Sequence, residues 1–253
     1  MKLLLIRHGD PDYEIDSLTE KGHREAQLLA EKMQHVPVKA FYVSPLGRAR
    51  ATIDYTLKKT GREATILDWM EEFPATLNPQ ESIGLKNAYG THKNTVNRVV
   101  WDMLPEYWMN HPELCTKDGW RTSEAALMSG MPELYDRVAK GLDELLASHG
   151  YCREGKLYHT EKGNEDTIAL YCHFGVSCVM LSYLWGISPF SLWHSLMMAP
   201  TSVTELVTEE REKGKAYFRA TRIGDVSHLY AGGEEPAFAG RYCETYDNWE
   251  ERH

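Results

Sequence analysis

A chain of 253 residues, 42% hydrophobic and 26% charged, has the material for one large α/β domain with an insertion or for two small domains, and is not that of a disordered or low-complexity protein. Its 28 Lys and Arg against 37 Asp and Glu leave a net charge of −9, which disfavours nucleic acid and anionic membranes as partners. Five cysteines (Cys115, Cys152, Cys172, Cys178 and Cys243), odd in number and without a CxxC pair, suggest neither a disulfide framework nor a zinc site and fit a reducing cytoplasm.

The first apolar run, residues 2–7, is too short for the core of a signal peptide, ends in Arg7 and His8, and reads as a buried strand. Thr19 is a good N-cap for a helix to about Met33, with Ala26, Leu29, Ala30 and Met33 at helical spacing. A short strand at 41–43 ends at Ser44-Pro45; a helix from about 48 to 59 is stopped by Gly61, and a brief strand follows around 64–67. Residues from about 73 to 130 depart from this alternation and read as a helical cap insertion. In it Val96, Val99, Val100, Met103, Leu104, Tyr107 and Trp108 make a helical stripe that Pro105 should kink or divide.

Leu134, Val138, Leu142, Leu145 and Leu146 mark a further helix, entered through Pro132 and closed by Gly150. Residues 167–172 form a buried strand and 176–185 the next helix. The apolar run 170–187 is broken by His173, Gly175 and Ser177, so a membrane span is a poor reading. Strands at 203–208 and 216–223, split by a charged turn, suggest an antiparallel hairpin at a sheet edge, and from about 225 the chain is a Gly-rich, then acidic tail. The whole predicts one α/β domain over 1–253: a mostly parallel sheet with helices on both faces, in three α/β/α layers, plus an antiparallel edge strand.

In open α/β sheets ligands bind beyond the carboxyl ends of the strands, so the polar residues at the strand exits matter most. Three exits stand out: Arg7-His8-Gly9, Ser44-Pro45-Leu46-Gly47-Arg48-Ala49, and His173-Phe174-Gly175. Two arginines and two histidines on one rim suit a phosphoryl group, because a guanidinium forks onto phosphate oxygens and an imidazole serves as nucleophile or donor. Taken singly, each has a bland reading as a surface ion pair or a hydrogen-bonded strand end; their coincidence favours a site.

The runs LLLIRHGDPDYEIDSLTEKGHREA, YVSPLGRARATI and ALYCHFGVSCVM resemble, in order, the three signatures of the histidine phosphatase superfamily in its phosphoglycerate-mutase-like branch. Thr201-Ser202-Val203-Thr204 and Gly224-Asp225-Val226-Ser227-His228 are similar to terminal segments of bacterial broad-specificity phosphatases of that branch; the insertion is not covered. The resemblance implies that His8 attacks phosphorus and becomes a phosphohistidine, that Arg7, Arg48 and His173 hold the phosphoryl oxygens, and that no metal or cofactor is required. It also implies a glutamate as proton donor: Glu72 in Met70-Glu71-Glu72-Phe73, with Glu71 as the fallback.

Two departures bear on this. The loop after Gly9 is shorter than in many relatives, lacks their extra phosphate-binding asparagine, and carries Asp10, Asp12, Glu14 and Asp16, which either disfavour strongly anionic substrates or form an ordinary solvated loop. Mutases of the branch carry a Glu-Arg-His-Tyr-Gly-like segment with basic residues around the acid, where this chain has Glu-Glu-Phe-Pro-Ala, which favours hydrolysis. A phosphomonoester hydrolase is therefore expected, with phosphoglycerate mutase as the alternative and an inactive phosphoryl-binding module as the third reading. The insertion's Tyr89, Trp101, Tyr107, Trp108, Trp120, His92 and His111 either meet an organic leaving group or form the cap's own core. The expected partner is a small phosphorylated substrate, with a homodimer left open and neither nucleic acid nor membrane involved.

Overall fold

The computed structural model describes residues 1–90 and 96–238. In chain order the elements begin with β1 (Lys2–Arg7), the two-residue strands β2 (Pro11–Asp12) and β3 (Ser17–Leu18), α1 (Glu20–Met33), β4 (Val38–Val43), α2 (Gly47–Thr60) and β5 (Ala64–Ile66). There follow β6 (Thr76–Leu77), β7 (Arg98–Val99), three short helices α3 (Pro105–Met109), α4 (Pro112–Cys115) and α5 (Glu124–Met128), then α6 (Met131–Ser148), β8 (Cys152–Glu154) and β9 (Leu157–His159). The chain continues through β10 (Thr167–Cys172), α7 (Phe174–Trp185), α8 (Pro189–Trp193), β11 (Val203–Glu212), β12 (Lys215–Asp225) and α9 (Ser227–Ala231). Two compact units result: one from Met1–Glu72, Thr160–Phe174 and the described residues from Met197 onward, the other from Phe73–His159 and Gly175–Leu196.

The first unit holds the sheet, in the order β5-β4-β10-β1-β11-β12. The pairs β5–β4, β4–β10 and β10–β1 are parallel, while β11 runs antiparallel to β1 and β12 to β11, so the fold is the expected mixed α/β arrangement with a mostly parallel sheet. Leu4, Ile6, Phe41, Val43, Ala169 and Tyr171 on one face pack with Leu29 and Met33 of α1 and Ala49 and Ile53 of α2. Leu3, Leu5, Ile168 and Leu170, which alternate to the other face, are equally buried, as strands of a parallel sheet should be. Thr19 caps α1 as expected, its hydroxyl accepting from the Gly22 N–H. Gly61 ends α2 in the left-handed conformation.

The expected tail is described as far as Phe238. It forms α9 and lies along α1, where Lys32 pairs with Asp225, and Lys21 and Arg24 both pair with Glu234. Cys243 lies outside the described residues.

In the second unit α6 and α7 are the long helices. Most of α7 is buried, which accounts for its apolar run. Among the described residues no helix is long and apolar enough to cross a bilayer. The helical stripe expected over 96–108 is helical only from Pro105, where the proline is expected to divide it. Its Val-rich start pairs as β7 with β6, and Tyr89 bridges Met103. The cause is local: Leu104, held extended by the proline after it, cannot continue a helix from upstream, and Pro105 is well placed as a first helical residue. Of the insertion's aromatic residues, Phe73 and Trp101 cluster with Trp193 of α8, and Trp120 packs on Tyr135 of α6. His92 lies outside the described residues.

Candidate active site

Register places the site. Arg7 pairs with Cys172 across β1–β10, and Tyr171 with Val43 across β10–β4, so three parallel strands end level with one another. The ladder runs one residue further: the His8 N–H donates to the Cys172 carbonyl at 3.0 Å and the Ser44 N–H to the Tyr171 carbonyl at 2.9 Å. Arg7, His8, Ser44 and His173 are thereby fixed on one rim by main-chain hydrogen bonds, and Arg48 joins them from the first turn of α2.

His8 and His173 are almost wholly buried, at 2% and 0% exposure, with ring centroids 5.0 Å apart and planes tilted by 56°. The His8 Nδ1 lies 2.7 Å from the Gly9 carbonyl oxygen; a carbonyl only accepts, so Nδ1 carries the proton and Nε2 keeps a lone pair. Burial, followed by the charges of Arg7 and Arg48, pushes the His8 pKa well below 6.5, so the ring is neutral near pH 7. His173 is depressed likewise, by burial first and then by His8, Arg48 and Arg7. Its Nε2 lies 2.7 Å from Ser44 Oγ.

Arg7 is buried and donates through Nη1 to the Met198 carbonyl. Burial pulls the Arg7 pKa down, and the charges of Tyr13, Glu72, Glu25 and Asp10 oppose it in that order. Glu71 instead closes the short turn Asp68–Met70 with its own N–H. Arg48 is buried, and its Nη1 donates to Asp16 Oδ1 at 2.7 Å. Among the described residues no three His, Cys, Asp or Glu side chains gather in a way that could hold a metal ion.

The structure thus brings together His8, Arg7, Arg48 and His173, and the charge of Glu72 acts on Arg7. It adds four further residues around them. Ser44 touches His173. Thr52 accepts from the Gly9 N–H at 2.9 Å and donates to the Arg48 carbonyl at 2.7 Å, tying α2 to the residue after His8. Asp16 meets Arg48. Glu25, fully buried on α1, accepts from the Asp10 N–H at 2.9 Å and from the Ala237 N–H at 3.0 Å, and burial pushes its pKa up to about 7. Only Glu25 carried a usable signal, since it shares the apolar stripe with Ala26 and Leu29.

The loop after Gly9 is built rather than loosely solvated. The Thr19 hydroxyl donates to Asp10 Oδ2 at 2.6 Å, Asp12 accepts from the Glu14 N–H, and Gly22 passes so close to Asp10 that a Cβ there would stand 2.2 Å from its carbonyl oxygen. Behind His8, Thr201 donates its N–H to the His8 carbonyl at 3.0 Å from a left-handed backbone with φ of 57°. His228 Nε2 lies 3.1 Å from the Thr201 hydroxyl.

Residues 3–76 match the family model of the histidine phosphatase superfamily, branch 1. The 2,3-bisphosphoglycerate-dependent phosphoglycerate mutase of Corynebacterium kroppenstedtii is 29% identical over 209 residues, covering 66% of this chain and 80% of that protein. Phosphoserine phosphatase from Entamoeba histolytica, solved with phosphoserine, shares the fold with a TM-score of 0.55 at 18% identity, over 90% of this chain and 98% of that one. Mycobacterial glucosyl-3-phosphoglycerate phosphatase, solved with VO3, does so with a TM-score of 0.53 at 17% identity, over 88% and 98%. The resemblance drawn from the motifs and the phosphoglycerate-mutase-like fold are both borne out.

Proposed function

We propose that the chain is a phosphomonoesterase that works through a phosphohistidine on His8, without a metal. The observation that carries this reading is the state of His8: buried, neutral, with its proton held on Nδ1 by Gly9 and its Nε2 lone pair left for attack, between two arginines. In the first step Nε2 bonds to phosphorus as the ester oxygen leaves in line and takes a proton from Glu72. In the second, water gives that proton back to Glu72 as its oxygen displaces Nε2, and phosphate departs.

Arg7 and Arg48 offset the charge that builds on the equatorial oxygens. His173 adds a neutral donor. The Leu46 N–H donates to Ser44 Oγ, and with the hydroxyl proton of Ser44 given to His173 Nε2 the ring proton sits on Nδ1. Glu72 is taken as the acid because its charge acts on Arg7.

A mutase is the second reading, favoured by the identity to the Corynebacterium enzyme. Against it, the residues after Glu72 are Phe73, Pro74 and Ala75, of which Phe73 and Ala75 are buried, and none offers a cation to a second phosphate. The substrate is proposed only as a small phosphorylated metabolite.

The test is turnover of p-nitrophenyl phosphate in chelator-treated buffer, with the enzyme quenched in alkali to preserve an acid-labile phosphohistidine. Phosphate release with a trapped intermediate is expected. Unchanged turnover in His8→Ala would sink the mechanism, and interconversion of phosphoglycerates without phosphate release would establish the mutase.

A further inference from the structure

Of the residues that meet the phosphate-binding side chains, Asp16 is the one whose chemistry is unaccounted for. A carboxylate beside an arginine meant for a phosphoryl group looks counterproductive, since it competes for the same charge. Its geometry says otherwise. Asp16 Oδ2 accepts from the Gly47 N–H at 2.6 Å and Oδ1 from Arg48 Nη1 at 2.7 Å, so one carboxylate caps the start of α2 and grips the side chain that follows. Helix α2 has no capping side chain of its own at Leu46.

The backbone enforces this grip. Asp16 sits in the left-handed region with φ of 47°, which a non-glycine residue adopts at a cost, and its carbonyl oxygen lies against Gly47, where a Cβ would stand only 2.1 Å away. From the same loop, the Tyr13 ring faces the Arg48 guanidinium with its centroid 5.5 Å from Cζ. The guanidinium is therefore held at its Nη1 corner and over one face, while Nε is buried with no hydrogen-bond partner among the described residues. What remains unspent is the Nε edge, the edge that forks onto two oxygens of one phosphoryl group.

Resting on the phosphatase reading above, we propose that Asp16 is a positioning residue: it acts through Arg48, fixing the guanidinium with its Nε edge turned to the phosphoryl oxygens. Two effects of Asp16 on a bound anion oppose each other. Its charge repels the anion, but its side chain is 44% exposed and water screens that field. The orienting contacts are direct and relieve Arg48 of a large loss of rotamer freedom on binding. Orientation wins.

A double-mutant cycle with Arg48 tests this on the full chain with p-nitrophenyl phosphate, with vanadate as the inhibitor. Asp16→Ala is expected to lower kcat/KM by about tenfold to a hundredfold, to weaken vanadate inhibition by a similar factor, and in the Arg48→Ala background to change kcat/KM by less than about twofold. Asp16→Asn, which still offers an acceptor to the Gly47 N–H, repeats the cycle if the alanine variant does not fold, as judged by thermal unfolding. Equal losses in both backgrounds, or no loss from Asp16 substitution while Arg48→Ala is damaging, overturn the inference and leave the phosphatase reading intact. If Arg48→Ala itself costs nothing, the phosphate pocket is misassigned and the inference falls with it.

Discussion

The exits of β1 and β10 each deliver a buried, neutral imidazole to the same rim, yet the two rings are held by different kinds of partner. His8 is held by its own main chain, Nδ1 against the carbonyl of Gly9, whereas His173 is held at Nε2 by the hydroxyl of Ser44, a side chain at the exit of β4 and 129 residues away in sequence. The difference assigns work. A ring whose Nδ1 is tied to a carbonyl has one free lone pair, on Nε2, and is a nucleophile. A ring whose Nε2 accepts from a hydroxyl presents an N–H, and is a donor.

That contrast can be broken most severely at the rings themselves. His8→Ala is expected to remove turnover of p-nitrophenyl phosphate and the trapped phosphoenzyme together, a loss on the order of 10⁴-fold or more. His173→Ala is expected to slow the reaction by roughly 10²- to 10³-fold while phosphoenzyme still forms, as loss of a transition-state donor should. If His173→Ala abolished labelling and His8→Ala did not, the assignments would be reversed.

The pH profile is the next measure. Because burial holds both histidines well below 6.5, the acid limb of kcat/KM, where His8 Nε2 takes up a proton, should lie below that value and fall by about tenfold per pH unit. Stability follows the same sign. The unfolded chain takes up these protons at about pH 6.5 and the folded chain only lower, so stability declines as pH falls below about 6.5. An acid limb centred at or above the free-histidine value would contradict the buried neutral pair.

Smaller effects sharpen the comparison. Ser44→Ala frees the His173 ring without altering His8, and is expected to cost about three- to tenfold in kcat with phosphoenzyme formation retained. Thr52→Val removes the acceptor for the buried Gly9 N–H and is expected to cost about 1–3 kcal/mol of stability in chemical denaturation, with the smallest effect on rate.

The rim was legible in the sequence because its parts are local: an apolar strand followed at once by Arg7-His8-Gly9 or His173 states both the element and its exit. Residues that act across the chain were not legible. Nothing near Ser44 reveals that it meets His173, and nothing in an acidic loop reveals that Asp16 alone turns onto Arg48 while Asp10 and Asp12 serve their own loop. The misread part of the stripe, 96–104, has another origin. Apolar spacing there fitted a helix, but β-branched residues and the proline at 105 outweighed periodicity once the segment found β6 as a partner.

One buried carboxylate links the two ends of the described chain. Glu25 gives one oxygen to the amide of Asp10, two residues beyond His8, and the other to the amide of Ala237. A change in the C-terminal segment that withdraws the second amide would leave that oxygen unsatisfied in the interior, and the carboxylate's hold on the first would have to readjust. The molecule thus has a short physical path from its C-terminal segment to the turn that carries its nucleophile, made of a single side chain.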